Sequence, residues 1–296
     1  MALRNASKAS RIMDNLKAVQ EALVKILGNC HEFKRFEQSD EMDSLDKEIL
    51  GKLDPSGVKS YADDVSLRRI QAVGQCYRLT CKMLGKDRDT FVDNYWIHNP
   101  SSYHNPIHEL ASFPIFLRAA NAHRTYPYLI DLAEYEWLRK RVLLTATEIV
   151  RCDSIDLSLA SNRKTQQPVL NPTLSIQHFN YPVHKIASRV AAGRWKKYSY
   201  EAQDFYLVAF QNLRQRDELR IIELGEFSFV LLRYAIETKC SYESMLQYAL
   251  ELAPEQSVED TAADVIEMLI QFDELDIILG SRKISTSDDP SILSLG

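Results

Sequence analysis

The spacing of apolar residues changes once along this chain, near residue 172, and that change decides what the chain can fold into. Before it, hydrophobic side chains recur at three- and four-residue steps: Met13, Leu16, Leu23 and Leu27 with Ile12, Val19 and Ile26, then Ile70, Val73, Tyr77 and Thr80. Those steps put each set on one stripe of an α-helix. After it the period is two: in "TLSIQHFNY" (173–181) Leu174, Ile176, His178 and Asn180 alternate with Ser175, Gln177, Phe179 and Tyr181. Alternation of that kind marks a strand with two distinct faces. "DFYLVAFQNL" (204–213) and "ELRIIEL" (218–224) are two more β-rich runs, joined by "RQRD" as a hairpin with a four-residue loop. The expectation is an α+β fold, mostly α: an all-helical N-terminal domain ahead of a small antiparallel sheet.

Punctuating residues set the boundaries. At 296 residues the chain is long enough for two domains, each with its own core. A long helix is predicted from about Asp64 to Leu84, stopped by Gly85, and a shorter one over 88–97, closed by "HNP". Another starts near Asn105 and is interrupted at Pro114, because a proline inside a helix removes a hydrogen bond and clashes with the preceding turn. "YPYLIDLAEYEWLRKRVLLTATEI" has Pro127 in its first turn, with Asp131 and Glu134 early and Arg139, Lys140 and Arg141 late, the order the helix dipole favours. The helical domain therefore spans 1–150. Residues 151–171 are polar, without sustained period, and read as a linker; 172–280 form the second domain and 281–296 a disordered tail. In the second domain a short helix runs from Pro182 to about Ala192 and ends at Gly193. Helices follow at 226–238, 241–252 and 258–272, the second N-capped by Ser241 and the third by the capping box "SVED" from Ser257 to Asp260. "LDIIL" (275–279) reads as a last short strand.

The composition narrows the function classes. With 45% hydrophobic and 26% charged residues and nine glycines the chain is of the globular class. No stretch approaches the roughly eighteen apolar residues of a membrane span. Five scattered cysteines, Cys30, Cys76, Cys81, Cys152 and Cys240, suit a reducing cytoplasm, where the protein is expected to reside. A net charge of −5 argues against a surface that tracks nucleic acid, and "RWKKY" (194–198) reads as a solvated face. The densest chemistry is "WIHNPSSYHNPIHEL" (96–110), with three of the seven histidines. His104 and His108 are four apart, as zinc on a helix requires, but Asn105 and Pro106 put the helix start between them, and beside His98 no ligand set is completed. No metal site is assigned there. The chain has no P-loop, GxGxxG, GxSxG or HExxH. Glu134 and Glu136, two apart on a helix, point in different directions and make no acid–base pair. The expectation is a chain without catalytic residues of its own.

Three strands followed by three helices is the order of a small winged-helix module. The segment from "FYLVAFQNLRQRDELRIIEL" (205–224) through "SVEDTAADVIEMLIQFDELDIIL" (257–279) resembles the peptide-recognition element of ribosomal-peptide maturation systems. The resemblance implies that a leader peptide is added as an extra strand to the third strand, beside the third helix. That mode is β-augmentation, in which main-chain bonds give affinity and alternate side-chain pockets give selectivity. The implied peptide-binding residues are Leu219, Arg220, Ile221, Ile222, Glu223 and Leu224, with Val265, Met268 and Leu269 on the helix and the apolar run 205–210 as further anchors.

The first domain points the same way. A helix ending in Leu84-Gly85, Tyr95 ahead of the Pro100 loop, "FPIFL" (113–117) and "LIDLAEYEWL" (129–138) together resemble the helical domain of partner proteins of multinuclear non-haem iron oxidases. The two resemblances cover roughly residues 60–280. Where that family has an arginine- and asparagine-rich signature this chain has "YRLT" (77–80), and an N-terminal helix precedes it. The implied function is a non-catalytic adaptor that docks on a (β/α)8-barrel iron oxidase and presents a precursor peptide, whose cysteines are the residues modified. The iron then belongs to the oxidase, with no cofactor in this chain, and His98, His104 and His108 belong to a scaffold loop. Tyr126, Tyr128, Tyr135 and Trp137 are candidate anchors on the oxidase-facing surface. Two rivals remain in view. A winged-helix DNA reader needs a basic recognition helix, and 258–272 carries Glu259, Asp260, Asp264 and Glu267 without a Lys or Arg. A free-standing metalloenzyme would need His104 and His108 as ligands.

Overall fold

The fold is that of a computed structural model, whose described residues are 55–99, 109–145, 149–152, 160–197, 199–212 and 218–284. The helix expected over 13–27, His104, His108, the "RQRD" loop and residues 285–296 of the tail lie outside them. The chain divides into two compact units, Met1–Ala133 and Glu134–Gly296. That division falls inside one continuous helix, whereas the residue pattern placed it at 150. The mostly helical α+β class is as expected, with a three-stranded antiparallel sheet.

The first unit holds α1 (Pro55–Cys76), α2 (Arg78–Leu84), α3 (Arg88–His98), α4 (Phe113–Ala119) and the start of α5 (Leu129–Leu144). The single helix expected from Asp64 to Leu84 starts earlier and is broken at Tyr77, whose φ of −118° and ψ of 49° leave the helical region. Its ring is fully buried against Phe113, centroids 4.9 Å apart, and its hydroxyl donates to the Leu110 carbonyl. Tertiary contact outweighs the local period here. Gly85 then ends α2 at φ +59°, a conformation that costs a residue without Cβ little. Residues 105–108 of the helix expected from Asn105 lie outside the described residues; Leu110–Ser112 form a 3-10 turn, and Pro114 lies in the first turn of α4, after Ser112, where the missing N–H has no acceptor to lose. Two of the pieces that carry the family resemblance, Tyr95 and "FPIFL", meet in one aromatic core, with Tyr95 and Phe113 centroids 5.0 Å apart and Tyr95 and Phe116 5.4 Å apart.

The second unit continues from α5 into α6 (Ala160–Thr165), β1 (Gln166–Leu170), β2 (Ser175–Phe179), α7 (Val183–Ala191), β3 (Phe205–Gln211) and β4 (Leu219–Leu224). It closes with α8 (Glu226–Thr238), α9 (Tyr242–Leu252), α10 (Val258–Glu274) and β5 (Ile278–Lys283). Two corrections concern its ends. The segment expected to be a linker contains α6 and β1, and β1 pairs antiparallel with β5 from Gln166↔Lys283 to Leu170↔Ile278. A five-residue strand interrupted by Pro168 shows no readable alternation, and proline is tolerated because each strand of a two-stranded sheet is an edge. β5 lies beyond most of the expected 275–279, because α10 runs on to Glu274, and it takes in Ser281, Arg282 and Lys283, which had been assigned to the tail.

The three-stranded sheet has the order β2-β3-β4, antiparallel throughout. On one face Val208 and Phe210 join Leu231, Met245, Val265, Leu269 and Phe272 in the core built with α8, α9 and α10. On the other face Phe205, Leu207 and Ala209 are also buried, and the His184 ring of α7 meets Phe205 at 6.3 Å. β3 is therefore apolar on both faces because both faces are covered. The caps hold as expected, with one change. Ser241 Oγ accepts from Ser244 N–H at 3.1 Å and Ser257 Oγ from Asp260 N–H at 3.1 Å, but the Asp260 carboxylate accepts the Ser257 hydroxyl proton, 2.8 Å, instead of reaching back to an amide. Asn171, 1% exposed, ties the two sheets: its side-chain amide donates to the carbonyls of Gln211 and Asp276, at 3.1 and 3.0 Å. Among the described residues no helix is long and apolar enough to cross a membrane.

Candidate functional site

The candidate site is the outer edge of β4, and its geometry follows from how β3 uses its backbone. Gln211 N–H turns toward β2, donating to Thr173 Oγ1 at 2.9 Å, whereas Asn212 N–H turns toward β4 and donates to Glu218 O at 2.9 Å. Antiparallel strands alternate hydrogen-bonded and non-bonded pairs, so Tyr206, Val208 and Phe210 bond to their partners Leu224, Ile222 and Arg220. The intervening residues, Leu219, Ile221 and Glu223, direct N–H and C=O away from β3. Among the described residues no strand pairs with that edge. Nor does β4 carry the proline, glycine or lysine with which natural edges are blunted; its only charges are Arg220 and Glu223.

The side chains divide by the same parity. Ile222 and Leu224 lean on the helical core, and Leu219, Arg220 and Ile221 are half-buried. Glu223 is exposed, and its carboxylate stands 3.8 Å from His184 Nε2. Burial pushes the His184 pKa down, against the pull of Glu223, while Lys185 pushes the same way as burial. The imidazole is therefore neutral at pH 7.

The helix residues expected to wall the cleft do not. Val265, Met268 and Leu269 are 2, 7 and 1% exposed and face the core, because α10 uses its strongest apolar stripe to close the helical trio. Phe205 to Phe210, the other apolar anchor expected, is likewise interior, apart from the half-buried Tyr206. Apolar contact for a guest is left to β4 itself.

The expected oxidase anchors are divided between the two units. Tyr126 and Tyr128 belong to the first unit, Tyr135 and Trp137 to the second. Tyr128 and Tyr135 are buried. Tyr126 is half-buried, its hydroxyl donating to Asp87 Oδ2 at 2.6 Å and to the Leu84 carbonyl at 3.3 Å. Trp137 is half-buried. His98, at the end of α3, has Nδ1 2.7 Å from the Asn94 carbonyl, a bond that satisfies one of the helix's last acceptors. Among the described residues no group of three or more His, Cys, Asp or Glu side chains is placed to hold a metal ion. Cys76 and Cys81 are buried, Cys240 is half-buried and Cys152 exposed.

The arrangement supplies hydrogen-bonding groups in a row along β4. The residue reading missed His184, half a site away in sequence; its signal was only a histidine on the polar flank of a short amphipathic helix. The chain matches no protein-family model and no curated protein sequence.

Proposed function

We propose that the protein is a non-catalytic adaptor: it binds the leader of a ribosomally made precursor peptide along β4 and docks on a multinuclear non-haem iron oxidase, to which it delivers the peptide. The observation that supports this reading is the outer edge of β4, with which no strand pairs among the described residues, in a unit ordered β2-α7-β3-β4-α8-α9-α10, which resembles the strands-then-helices order expected of a winged-helix peptide-recognition module. Three outward-facing residues offer up to six backbone bonds, each worth about 1 kcal/mol net. Association costs about 4 to 15 kcal/mol, so the bonds alone are insufficient and contact with Leu219 and Ile221 must add to them. Tethering the leader makes the visit of the core peptide to the iron centre intramolecular, which raises its effective concentration without any catalytic group in the adaptor. The helical unit supplies the oxidase-facing surface in this reading. A winged-helix DNA reader is disfavoured by the exposed acids Glu259, Asp260, Asp264 and Glu267 on α10.

The test is to look beside the gene of this chain for a multinuclear iron-oxidase gene and a short cysteine-bearing reading frame, and to reconstitute the chain with their two products. The expected result is a complex of all three, from which Ile221→Pro releases the peptide and retains the oxidase. Ile221 directs its N–H outward, so proline there removes a donor to the guest without breaking a bond to β3. Failure of the wild-type chain to bind either component contradicts the proposal.

A further inference from the structure

We infer that the strand admitted at β4 carries a basic residue across from Glu223 and an apolar residue two positions away, across from Ile221. The inference rests on the guest-strand reading above and adds the chemistry of the guest. Cross-strand partners project from the same face of a sheet, so a guest residue paired with Glu223 meets the Glu223 side chain itself. That side chain is 51% exposed and its carboxylate is beyond hydrogen-bond reach of His184. His184 does not cancel the charge, since burial keeps it neutral, and its Nδ1 is buried without a partner. Of the two cations on α7, Arg189 lies over the Tyr200 ring at 5.0 Å, which leaves the exposed Lys185 as the competing charge.

The wider field has the same sign as Glu223. Residues 218–276 hold fourteen acids and three bases, a formal −11; the rest of the chain holds 27 acids and 33 bases, a formal +6. A field of that sign draws a basic segment toward this part of the chain and slows an acidic one, at distances up to about a Debye length. A second copy of the chain is a poor occupant. In any two-fold antiparallel pairing of β4 with itself, outward-facing residues oppose one another, and Glu223 meets Leu219, Ile221 or another Glu223. None is basic.

The experiment uses the full chain and two labelled peptides, Thr-Val-Thr-Lys-Thr-Ile-Thr-Val-Thr and its copy with Glu in place of Lys, followed by fluorescence anisotropy at low salt. The Lys peptide is expected to bind about fivefold tighter. Glu223→Lys, at an exposed position that folding does not need, inverts the preference, and Ile221→Pro, with its fold checked by circular dichroism, loses both peptides. Equal affinity for the two peptides, or a preference that Glu223→Lys leaves unchanged, overturns the inference while Ile221→Pro still marks the edge as the site. Binding that survives Ile221→Pro, or no binding of either peptide, overturns the edge reading and this inference with it. Self-association abolished by Ile221→Pro makes a second copy the occupant and overturns it as well.

Discussion

The aromatic core of the helical unit and the edge of β4 treat their hydrogen-bonding groups in opposite ways. In the first, Tyr77 donates to Leu110, Tyr95 to Glu109 and Tyr126 to Asp87, so the polar end of each ring finishes on the chain itself. In the second, the backbone groups of Leu219, Ile221 and Glu223 face away from β3, the one strand that pairs with β4 among the described residues. A buried polar group must be satisfied inside the protein, whereas an exposed one can be left to water and later given to a partner. Tyr95, Phe113 and Leu117, which belong to the pieces that resemble a known family, lie buried in that core and so report on the fold. The open hydrogen-bonding capacity lies where no strict motif stands.

The comparison is broken most forcefully in the core. Phe113→Ala removes a fully buried ring that meets both Tyr77 and Tyr95, and is expected to cost about 3 to 5 kcal/mol in urea unfolding followed by circular dichroism. A cost below about 1 kcal/mol would mean the aromatic cluster is not the core of its unit.

Next in size is Tyr242, whose pKa burial pushes up to about 12, against the opposing effect of its Ser281 hydrogen bond. Because the folded value lies above the unfolded value of about 10, its contribution is complete below pH 10 and is lost as pH rises toward 12, on the order of 2 kcal/mol. Unfolding midpoints measured across that window should fall for the wild type and fall less for Tyr242→Phe; parallel curves would contradict the assignment.

Ser257→Ala removes the cap of α10 and should cost about 1 kcal/mol. The smallest effect is expected at the edge: Ile221→Pro should change stability by less than about 1 kcal/mol, because its N–H takes no part in the β3 ladder. A large loss of stability there would place Ile221 in the ladder and erase the contrast between the two regions.

Much of this was legible in the residues and some was not, for identifiable reasons. The three strands, their hairpin and the helices after Glu226 follow from period, length and caps that agree with one another. β1 was hidden by Pro168 and by its brevity, and its partner strand was misplaced because α10 outlasts its clearest apolar stripe. The break at Tyr77 depends on a carbonyl 33 positions away, which no local pattern encodes. At the site, period two shows which face a residue occupies but not which way its amide points. That direction is fixed by Asn212 bonding to Glu218, a fact of register. Val265, Met268 and Leu269 were misread because an apolar helix face looks alike whether it lines a cleft or a core.

Hydrogen exchange along β4 tests the central claim most directly. In the free chain the amides of Arg220, Ile222 and Leu224 should be protected while those of Leu219, Ile221 and Glu223 exchange quickly, and the second set should slow when the precursor peptide is added. Protection of Leu219, Ile221 and Glu223 in the free monomer would show the edge already occupied by the chain itself, and would contradict the account.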